Sequence, residues 1–598
     1  MVWQKENKFN YETFLEKHKV ILVFFMLLFI GLSIRLFYLQ IIKGDKYRKI
    51  SQQQRMYNTR ERAPRGIIYS ADKEVLAENK FNYVVFYHPL KAHQNSLEQV
   101  IVELNKILDG KIKQIANKDL KYGKVVKLID NLTVEEMFKI QEKKLNLKGV
   151  SVVREPRRVY FHPEAISHVI GYVNEIRSNE IENMASQGYK IGDYIGRGGI
   201  EQEYDKYLHG KDGGWQIEVN AKGYQIKAFK YVTPEVGADI YSTINLKLQK
   251  VAYDALKDSC TARGAIVVLD AKTGAVKALV SCPGFNANTV GSKKFDKYLK
   301  NGNSPLFNRT LQALYPPGSI FKVITFAAAA DLLNINPSEI TFTCTGSFEV
   351  GNRHFGCWYK PGHGNLNFIA AVAQSCSSYF YQLGLKLGIK NLEKYAKKFY
   401  LGQKTGIDLP NEKKGFIPNP EWKKAKLKMP WFRGDTAIFA IGQGAILVTP
   451  LQMACIMSAV ANKGLRYKPY IVDKVVDFEG NEIYKHELKF DDKLELSDKT
   501  WTLLHQALLE SVENGTGRRC KLEGIKIAGK TGTAQNSQGK DHAWFTSYAP
   551  ADNPEIVIAV IVEHVGGGGL NAAPICKKIY EAYFNIEPTN EFNKEDDQ

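Results

Sequence analysis

The first hydrophobic pattern along the chain is a long apolar run near the N-terminus. Val20 to Ile34 contains no charged residue, and the run continues past Arg35 to Ile42. As a helix, Val20 to Ile42 would be about 34 Å long, enough to cross a bilayer with Arg35 snorkelling at one edge. No small-x-small cleavage site follows the run. The pattern therefore predicts a retained membrane-spanning helix over residues 18–42, after a short polar tail over residues 1–17.

Shorter periodic segments follow in a basic region of mixed pattern. Between Gly44 and about Glu235 the sequence has strand-like pieces such as Tyr83 to Tyr87 and helical ones such as Glu98 to Leu108. This region contains no cluster of catalytic residue types. Its pattern predicts a mixed α/β domain without an active site.

The C-terminal half combines buried-strand and buried-helix patterns. Gly264 to Ser281 predicts a hairpin that turns at Ala271-Lys-Thr-Gly274. Val323 to Leu333 is alanine-rich and apolar on every side, which is typical of a buried helix, and Ile556 to Val565 predicts a buried strand. With 598 residues the chain is longer than one core usually organises, so we expect several domains.

Three short polar strings lie at wide intervals among these elements: Ser319-Ile-Phe-Lys322, Ser375-Cys-Ser377 and Lys530-Thr-Gly-Thr533. In the first string, a serine and a lysine three residues apart share one helix face, so the amine can reach the hydroxyl. A lysine can take the serine proton only if burial and cationic neighbours lower its pKa. Lys530 and a desolvated cleft would supply both. The strings together predict a serine acyl-transfer site.

Context separates the third string from a second Lys-Thr-Gly in the chain. The third string ends the strand-like run Gly524 to Ala528 and is followed by further strand patterns, which predicts an edge strand with neighbours. The second occurrence, Lys404 to Gly406, lies in a loop rich in turn-forming residues with no strand before it. We interpret this second occurrence as structural.

In this order the three strings resemble the motifs of the penicillin-binding proteins and serine β-lactamases. The resemblance covers nearly the whole chain except a stretch around Lys80 to Leu147. It is closest to the class B high-molecular-weight branch, and within it to the elongation-type penicillin-binding protein 2. The segments that carry it are Arg35-Leu-Phe-Tyr-Leu-Gln40, Ala63-Pro-Arg-Gly-Ile-Ile-Tyr69, Gly199-Ile-Glu-Gln-Glu-Tyr204, Trp431-Phe-Arg-Gly-Asp-Thr436 and Ile441-Gly-Gln-Gly444.

The resemblance implies a multidomain α+β architecture. After the transmembrane helix we expect a mixed α/β pedestal or dimerisation-type domain over residues 43–236. A transpeptidase domain with an antiparallel sheet flanked by helices would follow over residues 237–585. Residues 586–598 are polar and acidic, which predicts a disordered tail.

The resemblance also implies a role for each motif residue. Ser319 would be the acylated nucleophile, Lys322 its general base, and Ser375 the hydroxyl that relays a proton to the leaving amine. The third motif would hold the terminal carboxylate of the substrate and keep the cleft electropositive, through Lys530, Thr531, Gly532 and Thr533. Backbone N–H groups of Ser319 and Thr533 would form the oxyanion hole, a contribution of roughly 3 to 4 kcal/mol per donor in serine hydrolases.

One motif position departs from the family pattern. Position 377 is serine, whereas the family usually has asparagine or aspartate there. Ser377 can still donate and accept a hydrogen bond, but it reaches less far, so a substrate amide would be held less firmly or through water. Because the other motif residues are intact, we expect the site to be catalytically active.

Three of the eight cysteines fall near one histidine. Cys344, Cys357, His363 and Cys376 could form a tetrahedral zinc site. If the segment around Ser375 and Ser377 is extended and both serines face the cleft, alternation turns Cys376 away from it, where a metal would hold the second motif from behind. Some elongation-type relatives hold structural zinc at what look like the equivalent positions, with two aspartates, a histidine and a cysteine. The alternative is a Cys344–Cys357 disulfide, as an oxidising compartment allows, with a buried thiol.

The function that follows from the resemblance is peptidoglycan D,D-transpeptidation during cell elongation, with penicillins as inhibitors. Ser319 would attack the bond between the two terminal D-alanines of a stem peptide and pass the acyl group to the amine of a neighbouring stem. No cofactor is expected for this chemistry. The alternatives are a D,D-carboxypeptidase or β-lactamase-type hydrolase, for which no water-activating base is visible near the motifs, and a catalytically impaired penicillin-binding scaffold.

The family also implies location and partners. The chain would be a single-pass protein of the bacterial inner membrane, with its catalytic domain in the periplasm. Partners would be lipid-linked nascent glycan, β-lactams, a rod-shape glycan polymerase and elongation scaffold proteins. The formal net charge of +19 is spread along the chain without a nucleic-acid-binding module. The charge therefore favours an anionic membrane surface or wall polymer, or a compositional bias of the genome, over nucleic acid.

Overall fold

The computed structural model describes residues 11–48, 56–58, 60–87, 97–112, 126–143, 147, 149–219, 225–333, 340–488, 490–536 and 539–588. Residues 1–10 of the predicted N-terminal tail lie outside the described residues. The same holds for residues 589–598 of the predicted disordered C-terminus.

The described part of the chain alternates helices and strands throughout. In chain order the helices are α1 Tyr11–Phe37, α2 Leu97–Ile107, α3 Val134–Glu142, α4 Ser167–Ile170, α5 Ile181–Met184, α6 Gly199–Glu203, α7 Asp205–Leu208, α8 Leu246–Lys257, α9 Lys293–Leu299, α10 Lys322–Leu332, α11 Phe368–Ala373, α12 Ser377–Leu387, α13 Ile389–Lys398, α14 Pro420–Leu427, α15 Arg433–Ala440, α16 Pro450–Ala461, α17 Asp498–Glu513, α18 Gly568–Asn571 and α19 Ala573–Phe584. The strands are β1 Met56–Asn58, β2 Ile68–Tyr69, β3 Val75–Tyr87, β4 Val126–Leu132, β5 Val150–Tyr160, β6 Tyr172–Glu175, β7 Tyr194–Arg197, β8 Gly214–Val219, β9 Gln225–Val232, β10 Asp239–Ser242, β11 Gly264–Asp270, β12 Val276–Cys282, β13 Phe342–Cys344, β14 Ser347–Val350, β15 Arg353–Gly356, β16 Gly364–Leu366, β17 Leu465–Tyr467, β18 Val472–Val476, β19 Glu482–Lys485, β20 Phe490–Lys493, β21 Ala528–Ala534, β22 His542–Ala549 and β23 Ile556–Val562.

The predicted N-terminal membrane helix is present. Helix α1 continues into a π-helical turn, Tyr38–Ile42, and the segment His18–Ile42 is long and apolar enough to cross a membrane. Its apolar side chains from Val20 onward are almost all exposed, so nothing in the described part of the protein covers them. Length, composition and exposure together fit a single-pass membrane anchor.

Contacts divide the chain into two compact units, of which the smaller comprises residues 1–62, 81–155 and 212–235. It contains an antiparallel three-stranded sheet in the order β1-β8-β9. A separate small core forms where α2 and α3 pack on β4 and the distal part of β3, around Val85, Leu104 and Ile140. This mixture of helices and strands is the α/β pattern that the sequence predicts.

The larger unit comprises residues 63–80, 156–211 and 236–598. Its centre is an entirely antiparallel five-stranded sheet in the order β12-β11-β23-β22-β21. Strand β23 lies in the middle and is fully buried. Because side chains alternate along a strand, Val557 and Ile561 enter one core while Ile558 and Val560 enter the other. Helix α16 covers the first face, and α8 and α19 cover the second, so the predicted sheet with flanking helices is confirmed.

Helix α10 forms the centre of the helical layer. It packs against α12, α13 and α17, and its residues from Lys322 to Ala330 are all buried. Phe326 stacks on Phe368, with ring centroids 3.8 Å apart and an interplanar angle of 11°. The all-round apolar pattern arises because packed elements surround the helix. The helix begins at Lys322, so Ser319 lies in the preceding 3-10 turn, Gly318–Phe321, and the two residues do not share one α-helix as expected.

Candidate active site

The first motif lies where the 3-10 turn meets strand β21. Gly318 has a φ of +56°, and its N–H donates to Gly442 O at 2.8 Å. A Cβ at this position would lie 2.5 Å from Thr533 O, so only glycine permits this approach. Ser319 follows directly and is half-buried. The turn therefore places Ser319 beside the strand that carries the third motif.

The second motif begins helix α12. Ser375 has a left-handed φ of +52°, Cys376 is the N-cap residue, and Ser377 is the first helical residue. The expectation of an extended segment was therefore wrong. Cys376, at the junction between the left-handed Ser375 and the start of α12, still contacts Cys357 through its sulfur.

Lys322 connects the first two motifs. Its Nζ donates to Ser375 O at 2.7 Å, and it lies 3.3 Å from Ser377 Oγ and 3.5 Å from Ser375 Oγ. The side chain is fully buried, and its ammonium group lies 5.4 Å from the centre of the Phe380 ring. Both serines of the second motif are thus within hydrogen-bonding reach of the proposed base.

The third motif forms the strand itself. Strand β21 spans Ala528–Ala534 and is the edge strand of the sheet, as predicted. The predicted strand-like run Gly524 to Ala528 lies mostly outside β21, because β21 begins only at Ala528. Gly532 faces the 3-10 turn Gly318–Phe321, which carries Ser319 and is called the nucleophile turn below. A Cβ at Gly532 would lie 3.1 Å from Ile320 Cγ2 and 3.2 Å from Pro317 O. The absence of a side chain at Gly532 lets the strand lie against that turn.

Two buried lysines give the cleft its electrostatic character. Burial lowers the pKa of Lys322 to about 8, although the nearby thiols of Cys376 and Cys357 oppose this shift. Burial and repulsion from Lys322 lower the pKa of Lys530 well below its usual range. Desolvation thus favours a neutral amine at Lys322, which is the protonation state that a general base needs.

Sequence reasoning missed three residues that hold the motifs in place. Thr516 Oγ1 lies 2.6 Å from Thr531 Oγ1, and Thr516 N donates to Ala373 O at 3.1 Å, so Thr516 links the third motif to the end of α11, two residues before the second motif. Gln443 Nε2 donates to Thr533 O at 3.1 Å, and Gly442 O accepts from the nucleophile turn. Gly442 and Gln443 belong to a segment with family resemblance, whereas Thr516 carried no signal of its own.

The second Lys-Thr-Gly lies in a loop held by an acid. Glu412 Oε1 accepts from Thr405 N at 2.6 Å and from Thr405 Oγ1 at 2.7 Å, and Glu412 Oε2 accepts from Gly406 N at 3.1 Å. The polar groups of Thr405 and Gly406 thus have hydrogen-bond partners within the loop, which agrees with the interpretation of this second Lys-Thr-Gly as structural.

The four predicted metal ligands come together behind the second motif. Cys344 Sγ and Cys357 Sγ each lie 3.6 Å from His363 Nδ1, and Cys357 Sγ lies 4.0 Å from Cys376 Sγ. All four ligand atoms lie within 4.8 Å of one another. All cysteines are free thiols, so the alternative Cys344–Cys357 disulfide is not formed.

The sulfur of Cys357 is also placed to be a thiolate. Backbone N–H groups of Tyr359, Ser377 and Ser378 donate to it, the last two from the N-terminus of α12. Contact with Cys376 and these N–H groups lower the pKa of the Cys357 thiol, while the same contact and burial raise the pKa of the Cys376 thiol. A deprotonated sulfur is the form that binds a metal.

Family models match most of the chain. Residues 264–581 match the penicillin-binding protein transpeptidase domain, and residues 60–242 match the penicillin-binding protein dimerisation domain. The chain belongs to the penicillin-binding protein family.

Individual relatives within this family are similar over most of their length. The chain is 34% identical to the peptidoglycan D,D-transpeptidase MrdA of Acinetobacter baumannii, across 94% of this chain and 86% of the relative. It is 32% identical to MrdA of Escherichia coli, across 91% and 90%. The similarity thus includes the pedestal as well as the transpeptidase domain.

Solved structures of penicillin-binding proteins have the same fold. Penicillin-binding protein 2 of Helicobacter pylori, solved in complex with MreC, is 28% identical with a TM-score of 0.76, over 89% of this chain and 99% of that one. A chain of a peptidoglycan synthase complex that coordinates polymerisation and crosslinking is 26% identical with a TM-score of 0.70, over 96% of this chain and 100% of that one.

Proposed function

We propose that this protein is a peptidoglycan D,D-transpeptidase of cell elongation that works through an acyl-enzyme on Ser319 and is inhibited by penicillins. The observation that carries the proposal is the position of the buried Lys322, one helical turn after Ser319 and in hydrogen-bonding reach of Ser375 and Ser377. The similarity to MrdA proteins along almost the full chain supports peptidoglycan as the substrate and elongation as the process.

In the first half-reaction, Ser319 Oγ attacks the carbonyl carbon between the two terminal D-alanines while Lys322 Nζ takes the hydroxyl proton. The tetrahedral intermediate then expels the terminal D-alanine, whose amine receives a proton through Ser375. The product is an ester between Ser319 and the stem peptide. In the second half-reaction, the amine of a neighbouring stem attacks this ester, the new amide forms, and Ser319 regains its proton.

The substrate would lie along the edge strand β21. Lys530 borders the cleft, where a bound carboxylate would favour the protonated form of its amine, and Thr531 to Thr533 offer backbone groups and hydroxyls to that terminal carboxylate. The close approach of Gly318 to Thr533 supports an oxyanion hole formed by the N–H groups of Ser319 and Thr533. An edge strand has backbone groups free for a bound peptide, which an internal strand would not offer.

The experiment is a time course of intact mass for the full chain in detergent after addition of a β-lactam, with the adduct located by peptide mapping. A lasting adduct on Ser319 that is absent in Ser319→Ala supports the transpeptidase. Rapid loss of the adduct would indicate a hydrolase, and no adduct in the wild type would indicate a scaffold. An adduct that persists in Ser319→Ala would overturn the assignment of the nucleophile.

For the domains, we propose the predicted division into a tail over residues 1–17, an anchor over 18–42, a pedestal over 43–236, a transpeptidase domain over 237–585 and a tail over 586–598. The two family matches support the division between pedestal and transpeptidase domain. Peptidoglycan is assembled outside the inner membrane, so the catalytic domain would face the periplasm. Similarity to structures determined with MreC and within a synthase complex supports an elongation scaffold protein and a glycan polymerase as partners.

We also propose that Cys344, Cys357, His363 and Cys376 hold a structural zinc ion. Tetrahedral zinc, with Zn–S near 2.3 Å and Zn–N near 2.05 Å, would place sulfur and nitrogen about 3.6 Å apart. The two observed Sγ to Nδ1 distances are both 3.6 Å. Four protein ligands leave no open position, so zinc would hold the loop before α12 and take no part in the reaction.

Metal analysis of the purified chain tests the zinc site. We expect about one zinc per chain in the wild type, loss of the metal in Cys376→Ser, and retention in Cys260→Ser, because Cys260 is an exposed thiol outside the cluster. Equal metal content in the two variants, or none in the wild type, would contradict the proposal.

A further inference from the structure

A basic and apolar surface extends from the end of α14, across the segment that joins it to α15, to the first residue of α15. Its cations are Lys424, Lys426, Lys428 and Arg433, all exposed. The exposed acid of the same segment is Glu421. We call residues 424–433 the basic strip. Its positive charge faces solvent and is available to an anionic partner.

Large apolar side chains are interleaved with these cations. Leu427, Met429 and Phe432 are exposed to 50%, 48% and 51% of their area. A charged surface that serves only solubility has no need of three large apolar groups in water. Aromatic, methionine and arginine side chains are enriched at binding surfaces, and Phe432, Met429 and Arg433 supply one of each here.

Fixed contacts beneath the strip hold it in place. Lys423 is buried and forms an ion pair with Asp435, which also accepts from Phe432 N at 2.7 Å. Trp431 Nε1 donates to Thr436 Oγ1 at 2.9 Å. Because these contacts fix the backbone, the outward-pointing side chains form a preorganised surface.

The strip is connected to the active site through helix α15. The helix has eight residues and is therefore about 12 Å long. Immediately after it, Gly442 O accepts from Gly318 N at 2.8 Å and Gln443 Nε2 donates to Thr533 O at 3.1 Å. The strip thus starts one short helix away from the nucleophile turn. An extended peptide of five residues covers about 17 Å, which is more than the length of this helix.

We propose that the basic strip binds the peptidoglycan strand whose stem peptides enter the active site. Stem peptides have several free carboxylates, which complement the four cations, and the apolar faces of sugar rings can pack on Phe432. This inference rests on the proposed function, because that function supplies the strand as substrate. The strip would hold the polymer while one stem reaches Ser319.

The test compares two triple variants of the full chain in detergent. Lys424→Gln, Lys426→Gln and Lys428→Gln remove three charges from the strip. The control, Lys293→Gln, Lys294→Gln and Lys297→Gln, removes the same charge from exposed positions on α9. The probe is a fluorescently labelled, uncross-linked glycan strand with intact stem peptides, and its binding is followed by anisotropy.

We expect the strip variant to bind the strand roughly tenfold more weakly, since three exposed charge pairs with the stem carboxylates are lost. The control variant should stay within about twofold of the wild type. A strand stripped of its stem peptides should bind weakly to all three proteins. Raising the salt concentration should reduce the difference between the variants.

Equal affinity of the two variants would overturn the proposal. The proposal would also be overturned if the strip variant lost binding to vesicles of anionic lipid while its binding to strands was unchanged. The strip would then be a membrane-contacting surface. The rate of β-lactam acylation, measured in parallel, reports separately on the active site. The wild type could bind strands through the strip and yet form no adduct on Ser319. That result would contradict the proposed function, and the strip would remain a strand-binding surface.

Discussion

Two neighbouring hydroxyls at the start of α12 have different surroundings. Ser377 Oγ lies 3.3 Å from Lys322 Nζ, whereas the hydroxyl of Ser378 is buried without a hydrogen-bond partner in the described part of the protein. We predict that Ser377→Ala slows acylation by a β-lactam roughly fivefold, because one net hydrogen bond contributes about 1 kcal/mol. Stopped-flow or fluorescent-penicillin kinetics would measure the effect.

Ser378→Ala is the matched control for this prediction. It removes a hydroxyl one residue away that has no hydrogen-bond partner among the described residues, so neither the acylation rate nor the melting temperature should fall. If Ser377→Ala acylated as fast as Ser378→Ala, the hydroxyl of Ser377 would have no role in catalysis. In that case the presence of serine instead of asparagine or aspartate at position 377 would not slow acylation.

A buried histidine makes stability depend on pH. His168 Nε2 donates to Pro305 O at 2.9 Å, and its Nδ1 lies 3.2 Å from Ser167 Oγ, so the neutral ring has a partner on each side. Burial lowers the pKa of His168 to about 4, and Arg309 adds to this shift. In the unfolded chain the same group has a pKa of about 6.5. Its contribution to stability is therefore complete above pH 6.5 and is lost as the pH falls toward 4.

We predict that the melting temperature of the wild type falls more between pH 7 and pH 5 than that of His168→Gln. Glutamine can donate and accept, but it does not titrate in this range. Scanning fluorimetry at the two pH values would measure the difference, and comparison with the variant removes the effect of carboxylates common to both. An equal fall in the two proteins would show that His168 is not buried in the neutral form.

At the level of elements, the packing of β21 against the nucleophile turn determines the shape of the cleft. A Cβ on Gly532 would lie 3.0 Å from Trp544 Cβ and 3.1 Å from Ile320 Cγ2. We predict that Gly532→Ala moves β21 by a few tenths of an ångström from the turn and slows acylation at least tenfold. The fall in melting temperature should be small, because the rest of the sheet keeps its packing.

Gly302→Ala is the control for added volume, since no atom lies within 4 Å of a Cβ at that position. Its acylation rate and melting temperature should match the wild type. A normal acylation rate in Gly532→Ala would show that the spacing between β21 and the turn does not limit the reaction. Both rates can be obtained from the same fluorescent-penicillin assay.

Elements with a strong periodic pattern were predictable from the sequence. The buried strand β23, the hairpin of β11 and β12 and the buried helix α10 all lie where hydrophobicity indicated. The element boundaries at the motifs were less predictable. Strand β21 contains the polar motif, and its backbone pairing with β22 overrides the weak strand propensity of Lys530 and Gly532.

At the scale of the whole molecule, the N-terminal helix decides where the protein is found. Helix α1 and its π-helical turn expose an apolar surface that the described part of the protein does not cover. We predict that the full chain sediments with membranes and resists a high-salt wash. Deletion of residues 1–42 should move the protein to the soluble fraction and leave the rate of β-lactam acylation within about twofold of the full chain.

Fractionation of cells followed by labelling with a fluorescent penicillin measures both quantities. A deletion of residues 1–10 is the control, because it shortens the chain but leaves the apolar segment in place. If the protein without residues 1–42 remained in the membrane fraction, another surface would attach it to the membrane. The basic strip would be the first region to test.

The sequence alone determined the chemistry of the site and the class of the fold. Motif order, residue type and hydrophobic period are local properties, so Ser319, Lys322, Ser375 and Lys530 were recognisable without coordinates. The same applies to the apolar segment at residues 18–42. The cysteines and the histidine of the proposed zinc site were also recognisable as a set, although their spacing gave only weak evidence.

Only the tertiary structure decided how these groups meet. It joined Thr516 to Thr531 and to Ala373 at the end of α11, Gly442 to the turn that carries Ser319, and Gln443 to Thr533. It also showed that a left-handed Ser375 and a helix start, and not strand alternation, turn Cys376 toward the other ligands. These contacts join residues far apart in the chain, and no local pattern encodes them, because they depend on how separate elements pack around one buried helix.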